Sequence, residues 1–394
     1  MKILITTDAY HPMTNGVVIS IDILYKQLKK LGYDVKILSL SADGRERIVG
    51  DIFYFSSYNV NIYPNAKVIK PTKNKIIREI IKWSPDIIHS QSEFSTMIIA
   101  KYIKRKLGIP QVHTYHTMYE EYLHYFLGGK ILGKKALSKI IRVLLNTFDT
   151  VVAPTEKVQE SLKNYKVATN IEIIPTGINL KRFQSSLSRN ERDEILSNYN
   201  LKLTDNVIIY VGRIAEEKNI EEIISFYNKG ISHLKNTKLL IVGGGPYLSK
   251  LQDLVREYEI EEYVKFTGMI PSEEIHKYYK LGDVFVTAST SETQGITYIE
   301  ALASGVPVLC RWDMCIKDLV IDEKTGFTYK NEDEFTNKLT KLIQDEEIKK
   351  EMALEIKYKV QDYSDIVFGE RISNLYEELV EAKKDYYLTK LIHN

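Results

Sequence analysis

Cysteine is nearly absent: the 394-residue chain has two, Cys310 and Cys315. Two thiols cannot build a disulfide framework, and their spacing lacks the partner ligands of a structural zinc site, so both are expected as reduced thiols in or near a core. Apolar runs long enough to span a bilayer are missing, and so is a charged leader followed by an apolar signal core. The chain opens directly on the strand-like KILITTD, which predicts a cytoplasmic protein. Low-complexity tracts and solenoid repeats are missing too. Hydrophobic residues at 44% and charged residues at 27% fit an ordinary folded chain.

Net charge is also small, at +2, but it is unevenly spread. Residues 1–180 carry 25 Lys and Arg against 15 Asp and Glu, whereas residues 181–394 carry 29 against 37. A basic half of this kind hints at a polyanionic partner, either an acidic membrane surface or nucleic acid. No nucleic-acid recognition motif accompanies the charge, so no nucleic-acid partner is expected.

The length exceeds what one hydrophobic core usually supports, which predicts two domains. Short β-branched runs alternate with helical-period segments, the pattern of parallel sheets wrapped by helices. In the first half the strands are read at 2–8, 34–40, 52–57, 86–91, 110–116, 150–156 and 171–178, with helices at 16–31, 73–83, 94–107, 132–147 and 156–164. Residues 179–204 are polar and lose the strand signal. Alternation restarts at VIIYVGR, 207–213, and continues through KLLIVGGG, VKFTGM, VFVTAST, PVLCRW and GFTYK. A terminal helix follows, with Ile366, Phe368, Ile372, Leu375, Tyr376 and Leu379 at helical spacing. The predicted class is therefore α/β, with two Rossmann-like, doubly wound domains facing a cleft. Domains are set at 1–180 and 181–363, with 364–394 as a terminal helix and tail. Ligands of such sheets bind beyond the carboxyl ends of the strands.

Arg213 ends the strand 207–213, and Lys218 stands five residues later, just before a helix. A guanidinium fork and a mobile ammonium suit a diphosphate, although a solvated turn explains the pair equally well. The segment SETQGITYIEALASGVPV, 291–308, is more informative. Gly295 permits a tight turn, and the following helix presents the N–H groups of Ile296 and Thr297, a natural anion site. Glu292 lies in the loop and Glu300 eight residues on, inside the helix. Carboxylates at two depths can accept hydrogen bonds from vicinal hydroxyls of a ribose and a hexose. A dinucleotide-binding oxidoreductase would carry G-x-G-x-x-G, but Gly243-Gly244-Gly245 is followed by Pro246, Tyr247 and Leu248. That class and a noncatalytic binding module stay as remote alternatives.

GRIAEEKN, IVGGGP, FTGMI, the Glu292-x7-Glu300 spacing and ALASGVPV occur in this order, and residues 207–308 resemble retaining glycosyltransferases of family four, which have the GT-B fold. The resemblance implies that Arg213 and Lys218 bind the donor diphosphate, Glu300 the ribose and Glu292 the donor sugar. It further implies that the backbone of Gly268, Met269 and Ile270 lines the base pocket, and that the terminal helix crosses back to the N-terminal domain. Gln294 departs from the family, which mostly has an aromatic residue there. In the first half, Asn15-Gly16-Val17 resembles the loop that approaches the donor phosphates, and His116 matches the histidine that contacts the sugar. His11 and His113 have no such match.

By the same resemblance, sugar transfer retains configuration, with the leaving phosphate taking the acceptor proton. No Asp-x-Asp element is present, so no cofactor or divalent metal is expected. The acceptor is sought in the basic half. GGKILGKKALSKIIRVLLNTF, 128–148, has Lys130, Lys134, Lys135, Lys139 and Arg142 and no acid. Leu137, Ile140, Ile141, Leu144, Leu145 and Phe148 share one face. Such a helix can lie on anionic lipid, or bury its apolar face as an ordinary Rossmann helix. The cation-rich 66–83 and the aromatic TYHTMYEEYLHYF, 114–126, add to this basic, interfacial character. The N-terminal half, with TDAYHPMTNGV, resembles bacterial diacylglycerol glucosyltransferases. This implies transfer of a hexose, glucose from UDP-glucose, to the 3-hydroxyl of 1,2-diacylglycerol by an enzyme peripheral to the inner face of the cell membrane. The implied partners are a nucleotide sugar, diacylglycerol and anionic lipids. A soluble or polyprenyl-linked saccharide acceptor is the alternative.

Overall fold

The computed structural model describes the whole chain except residues 14, 57, 60–66, 69–73, 119–133, 231–233, 235 and 393–394. Two compact units emerge, Met1–Gly177 with Asp365–Asn394, and Ile178–Ser364.

In the first unit β1 (Lys2–Thr7) leads through α1 (Gly16–Lys30) to β2 (Asp34–Leu40), β3 (Arg47–Val49) and β4 (Ile52–Phe55). A two-stranded ribbon of β5 (Tyr58–Asn59) and β6 (Lys67–Val68) and the helix α2 (Lys75–Trp83) follow. Then β7 (Ile87–Ser90), α3 (Ser95–Leu107), β8 (Gln111–Thr114), α4 (Lys134–Leu145), β9 (Thr150–Ala153), α5 (Glu156–Asn164) and β10 (Asn170–Ile173) alternate. The main sheet has the order β10-β9-β8-β7-β1-β2-β4-β3, parallel except for β3. Sequence order reverses between β1 and β7. Right-handed crossovers therefore put α3, α4 and α5 on one face and α1 on the other. The cores agree: Ile3, Ile5, Val35 and Ile37 pack under α1, whereas Leu4, Leu38 and Ile88 pack under α2 and α3. Alternate residues of each strand thus serve opposite faces.

The second unit starts with α6 (Leu180–Gln184) and α7 (Arg189–Ser197), in the polar stretch that carries no strand signal. A capping box, Ser188 with Glu191, starts α7 and offsets its thin apolar content. Next come β11 (Asn206–Val211), α8 (Ile220–Gly230), β12 (Thr237–Val242), α9 (Leu248–Glu257), β13 (Val264–Gly268) and α10 (Ile275–Tyr279). The unit is completed by β14 (Val284–Thr287), α11 (Ile296–Ala303), β15 (Val308–Arg311), β16 (Gly326–Tyr329), α12 (Glu332–Gln344) and α13 (Glu346–Lys359). Its sheet, β13-β12-β11-β14-β15-β16, is all parallel, with the order reversing between β11 and β14. Cys310 and Cys315 are buried free thiols.

The last helix, α14 (Asp365–Ile392), rejoins the first unit. Phe368, Ile372, Leu375 and Tyr376 pack in the core shared with α1, and the Tyr376 hydroxyl meets His89 Nδ1 at 2.5 Å. Ile366, read from spacing as part of that apolar face, is instead exposed, because at helical pitch it lies on the side of α14 away from Phe368, Ile372 and Leu375. The strand expected over 171–178 stops at Ile173, where an exposed edge strand runs toward Pro175, which has no N–H to pair.

Glycines after β11 and β12 let two loops touch. Gly212 N–H donates to Val242 O at 3.0 Å and Ile214 N–H to Gly244 O at 2.9 Å. A Cβ on Gly243, at φ +140°, would lie 1.9 Å from Gly212 O. Gly243→Ala should therefore destabilise the second unit by about 3 kcal/mol, from overpacking plus a strained φ. Denaturant unfolding checks this; a loss under about 1 kcal/mol would contradict the close approach.

Candidate active site

Both switch points gather polar groups, as open parallel sheets require: strand carboxyl ends there diverge and leave a crevice between adjacent loops. In the second unit the loop after β11 supplies Arg213 and Lys218, and the loop after β14 supplies Glu292. Lys218 Nζ donates to Glu292 Oε1 at 2.5 Å, and Ser289 Oγ donates to the same oxygen at 2.7 Å. Asn219, in the left-handed region, donates its side-chain amide to Ala288 O at 3.3 Å. The two loops are thus joined across the switch point by an ion pair and a side-chain-to-backbone bond. Arg213 is more exposed and pairs with Glu217, one helical turn on. Lys218 carries three donors, one of them directed at Glu292.

Gly295 caps α11 with φ +70°, a conformation that favours glycine, and no side chain caps the helix start. The first N–H groups, those of Ile296 and Thr297, lie in a half-exposed turn. Gln294, just before, is buried. Glu300, one turn further in, accepts from the Tyr279 hydroxyl at 2.8 Å on Oε2. Burial lifts the Glu300 carboxyl to about 7, against the opposing hydrogen bond of Tyr279 and the charge of Arg182. Gly268 ends β13, Met269 beyond it is 78% exposed, and Ile270 packs partly on the core. The Met269 side chain lies over Gly244, where an added Cβ would come within 2.8 Å of it.

In the first unit, Gly16 begins α1 behind the cap Asn15, whose Oδ1 accepts from Val18 N–H at 3.0 Å. A Cβ at Gly16 would meet nothing within 4 Å, so packing does not demand the glycine. Across the β1–β7 switch point Asp8 accepts from the N–H groups of Ser95 and Thr96 at 3.1 and 2.7 Å. His116 Nε2 meets Gln91 Oε1 at 2.6 Å. Burial lowers its imidazole to about 4, with Glu93 pulling the other way and His113 adding to the fall, so the ring is neutral at physiological pH. His113 is fully buried, stacked on Phe148 and 3.3 Å from Glu93, a core histidine.

Of the basic residues, Lys130 lies outside the described residues, as does the side chain of Lys134. Lys135 and Lys139 are exposed and Arg142 half-exposed on α4. The apolar face of α4 is corrected by the structure. Ile141, Leu145 and Phe148 are buried in the core, with Leu137 and Leu144 against them, whereas Ile140 is turned out to solvent. Sequence reasoning also missed Glu217, Tyr279, Ser289, Gln91 and Glu93. Only Glu217 had a local signal, its i,i+4 spacing from Arg213.

Comparison with known proteins now bears on this geometry. Residues 14–182 match the description Glycosyltransferase Family 4, and residues 191–359 match Glycosyl transferases group 1. The alpha-monoglucosyldiacylglycerol synthase of Streptococcus pneumoniae is 32% identical over 96% of this chain and 86% of its own length. The chain belongs to the GT-B glycosyltransferases. It is a hexosyltransferase. The alpha-monoglucosyldiacylglycerol synthase of Acholeplasma laidlawii is 30% identical over 97% of this chain and 98% of its own length. Among solved structures, Anabaena HepE in complex with UDP superposes with a TM-score of 0.75 at 15% identity, covering 96% of this chain and 100% of that one. Sucrose-phosphate synthase of Thermosynechococcus elongatus gives 0.73 at 19%, covering 97% and 99%. Likeness at such identity reports the GT-B fold.

The raised Glu300 carboxyl makes a stability prediction for this glycosyltransferase. The unfolded chain loses the proton near the ordinary glutamate range, the folded one only near 7, so folding weakens as pH rises between those values. Glu300→Gln should flatten that part of the profile in denaturant unfolding at several pH values. An unchanged slope would show that the carboxyl titrates normally.

Proposed function

We propose that this enzyme transfers glucose from UDP-glucose to the 3-hydroxyl of 1,2-diacylglycerol with retention of configuration. What carries the acceptor reading is the extent of the likeness to the two monoglucosyldiacylglycerol synthases. It takes in 96% and 97% of this chain, so it includes the first unit and not the donor half alone. For the donor, the support is the Lys218–Glu292 pair at the switch point, together with the structural neighbour HepE, solved in complex with UDP and with UDP-glucose.

In this reading Arg213 and Lys218 neutralise the diphosphate, with Gly16 and the α11 start at Gly295, Ile296 and Thr297 close to its oxygens. Glu300 accepts the ribose hydroxyls, and the backbone of Gly268, Met269 and Ile270 flanks the base. Glu292 orients the hexose, and neutral His116 hydrogen-bonds the sugar. The acceptor hydroxyl oxygen attacks C1 on the face from which the β-phosphate departs. The C1–O bond to phosphate breaks, the new C1–O bond forms, and the acceptor proton passes to the departing phosphate oxygen. Lys218 and Arg213 stabilise that charge, so a divalent metal is not needed. No helix among the described residues is long and apolar enough to cross a membrane, and the proposed enzyme reaches its lipid from the bilayer surface.

Lys218→Ala and Glu292→Ala should each lower kcat on the order of 10²- to 10³-fold, as loss of a transition-state donor does. Chelation of divalent metal should leave the rate unchanged. Because Glu300 must be ionised to accept two hydroxyls, donor affinity should rise as pH climbs through about 7, and Glu300→Gln should remove that dependence. The deciding assay is transfer to diacylglycerol in vesicles, with the product's anomeric proton read by NMR. An α-glucoside is the predicted product. A β-glucoside, or equal transfer to soluble saccharides without vesicles, would overturn the proposal.

A further inference from the structure

A buried donor without an acceptor stands near the Glu300 carboxyl. Arg182 lies on α6, whose cap Asn179 accepts from the Arg182 N–H at 3.3 Å, and α6 packs against α10 and α11. The guanidinium sits over the Phe183 ring at 5.8 Å. Phe183 meets Tyr279 edge-on at 5.9 Å, and Tyr279 is the hydroxyl that donates to Glu300. Arg182 Nε donates to His276 Nδ1 at 3.4 Å. Burial, and then the charge of Arg182, hold the His276 imidazole below its usual range, so this partner is neutral and does not balance the guanidinium. Among the described residues Arg182 Nη2 is buried with no hydrogen-bond partner. A donor left in that state costs stability, so its presence calls for a reason.

Two acids feel this charge. Glu273 is exposed, and its own backbone N–H and then Ser272 already lower its carboxyl, with Arg182 adding to this only after them. Glu300 differs, since burial raises its carboxyl and only Tyr279 and Arg182 oppose the rise. Few other charged or titratable groups come near it. Lys280, just past α10, turns to the far end of α11 and donates to Ser304 O at 2.9 Å. Helix α13 and the turn Val360–Tyr363 also pack on α11, with Met352, Ile356 and Val360 in the core. From β15 comes Cys310, a thiol that burial keeps neutral, and the Lys218–Glu292 pair stands in the loops before α11. We propose that Arg182 is a positioning residue of the donor site: its fixed guanidinium is the counter-charge that keeps the Glu300 carboxylate ionised and set to receive the ribose hydroxyls of a nucleoside diphosphate. A guanidinium suits the task, because it stays charged at any working pH. Held by His276 and Phe183, it stabilises the anion by its field, which is strong where water is scarce.

The inference rests on the reading of Glu300 as the ribose ligand, and two measurements on the full chain keep the two apart. Calorimetric titration of UDP from about pH 6 to about pH 9 follows the site, and denaturant unfolding without ligand over the same range follows the Glu300 proton. In the parent, UDP affinity rises through about 7 while stability falls toward that value. Arg182→Met should move both profiles up by about one pH unit, the low end of what a nearby opposite charge contributes. UDP would then bind about fivefold more weakly at pH 7 and within about twofold of the parent at pH 9. Arg182→Gln, which keeps a donor for His276, should act in the same way and serves if the methionine variant does not fold. Arg182→Lys keeps the charge and should restore the parent profiles, and Glu273→Gln should leave them in place. In a Glu300→Gln background Arg182→Met should move neither profile. Affinity lowered equally at every pH, or Arg182→Lys behaving like Arg182→Met, would reveal a packing role and overturn the inference. UDP affinity that follows Glu300 but not Arg182 would remove this inference and leave the ribose reading. A stability profile that moves with Arg182 while UDP affinity ignores both residues would remove the ribose reading, and the donor role of Arg182 with it.

Discussion

The second unit's chemistry stands on one ion pair, Lys218 to Glu292 at 2.5 Å, closing two loops over a parallel sheet. Lys218 ends a short 3-10 turn, Glu216–Lys218, and Glu292 lies in an irregular loop. The loop after β11 is fixed from one side by Gly212 and Ile214, hydrogen-bonded to the β12 loop, and from the other by Lys218 and Asn219. The half-buried pair also keeps two charges satisfied that would otherwise be costly beside Tyr210 and Tyr298, both buried. An anion arriving at Lys218 would share a cation already oriented, which lowers the ordering cost of binding. Arg213, more exposed, pairs with Glu217 one turn on.

The first unit divides its labour by face. One side of its sheet is sealed by α1 and α14, with Tyr376 reaching His89 and Asp365 reaching Gln27 at 2.6 Å. The other side carries the basic helices. Loops at the carboxyl edge, between these faces, hold Asp8, Gln91, Glu93 and His116. The same fold therefore sealed one surface with the chain's own terminus, left a second charged toward the outside, and kept its polar loops at the strand ends where ligands of such sheets bind.

Much of this was legible in the amino-acid sequence because it depends on local period and local charge. Alternating β-branched runs announced two parallel sheets, and the spacing in 366–379 announced a long amphipathic helix, although its first apolar residue proved exposed. Loop polarity hid α6 and α7, whose stability comes from a capping box and from packing on distant residues. The residue types of the site were visible, but not their pairing. That Lys218 meets Glu292 across 74 positions, or that Tyr279 bonds Glu300, follows from strand order, which no local window contains. The basic helix shows the opposite failure. Its amphipathic period was real, but the period alone could not tell a core from a membrane as the apolar stripe's destination.

The central claim is that the Lys218–Glu292 pair marks the donor diphosphate site. Calorimetric titration of UDP into the wild-type protein and into Lys218→Met, whose unbranched side chain keeps much of the bulk without the charge, tests it most directly. The account predicts micromolar-range or weaker binding that falls by at least tenfold in the variant while thermal stability stays within a few degrees. Equal UDP affinity in the two proteins would contradict it.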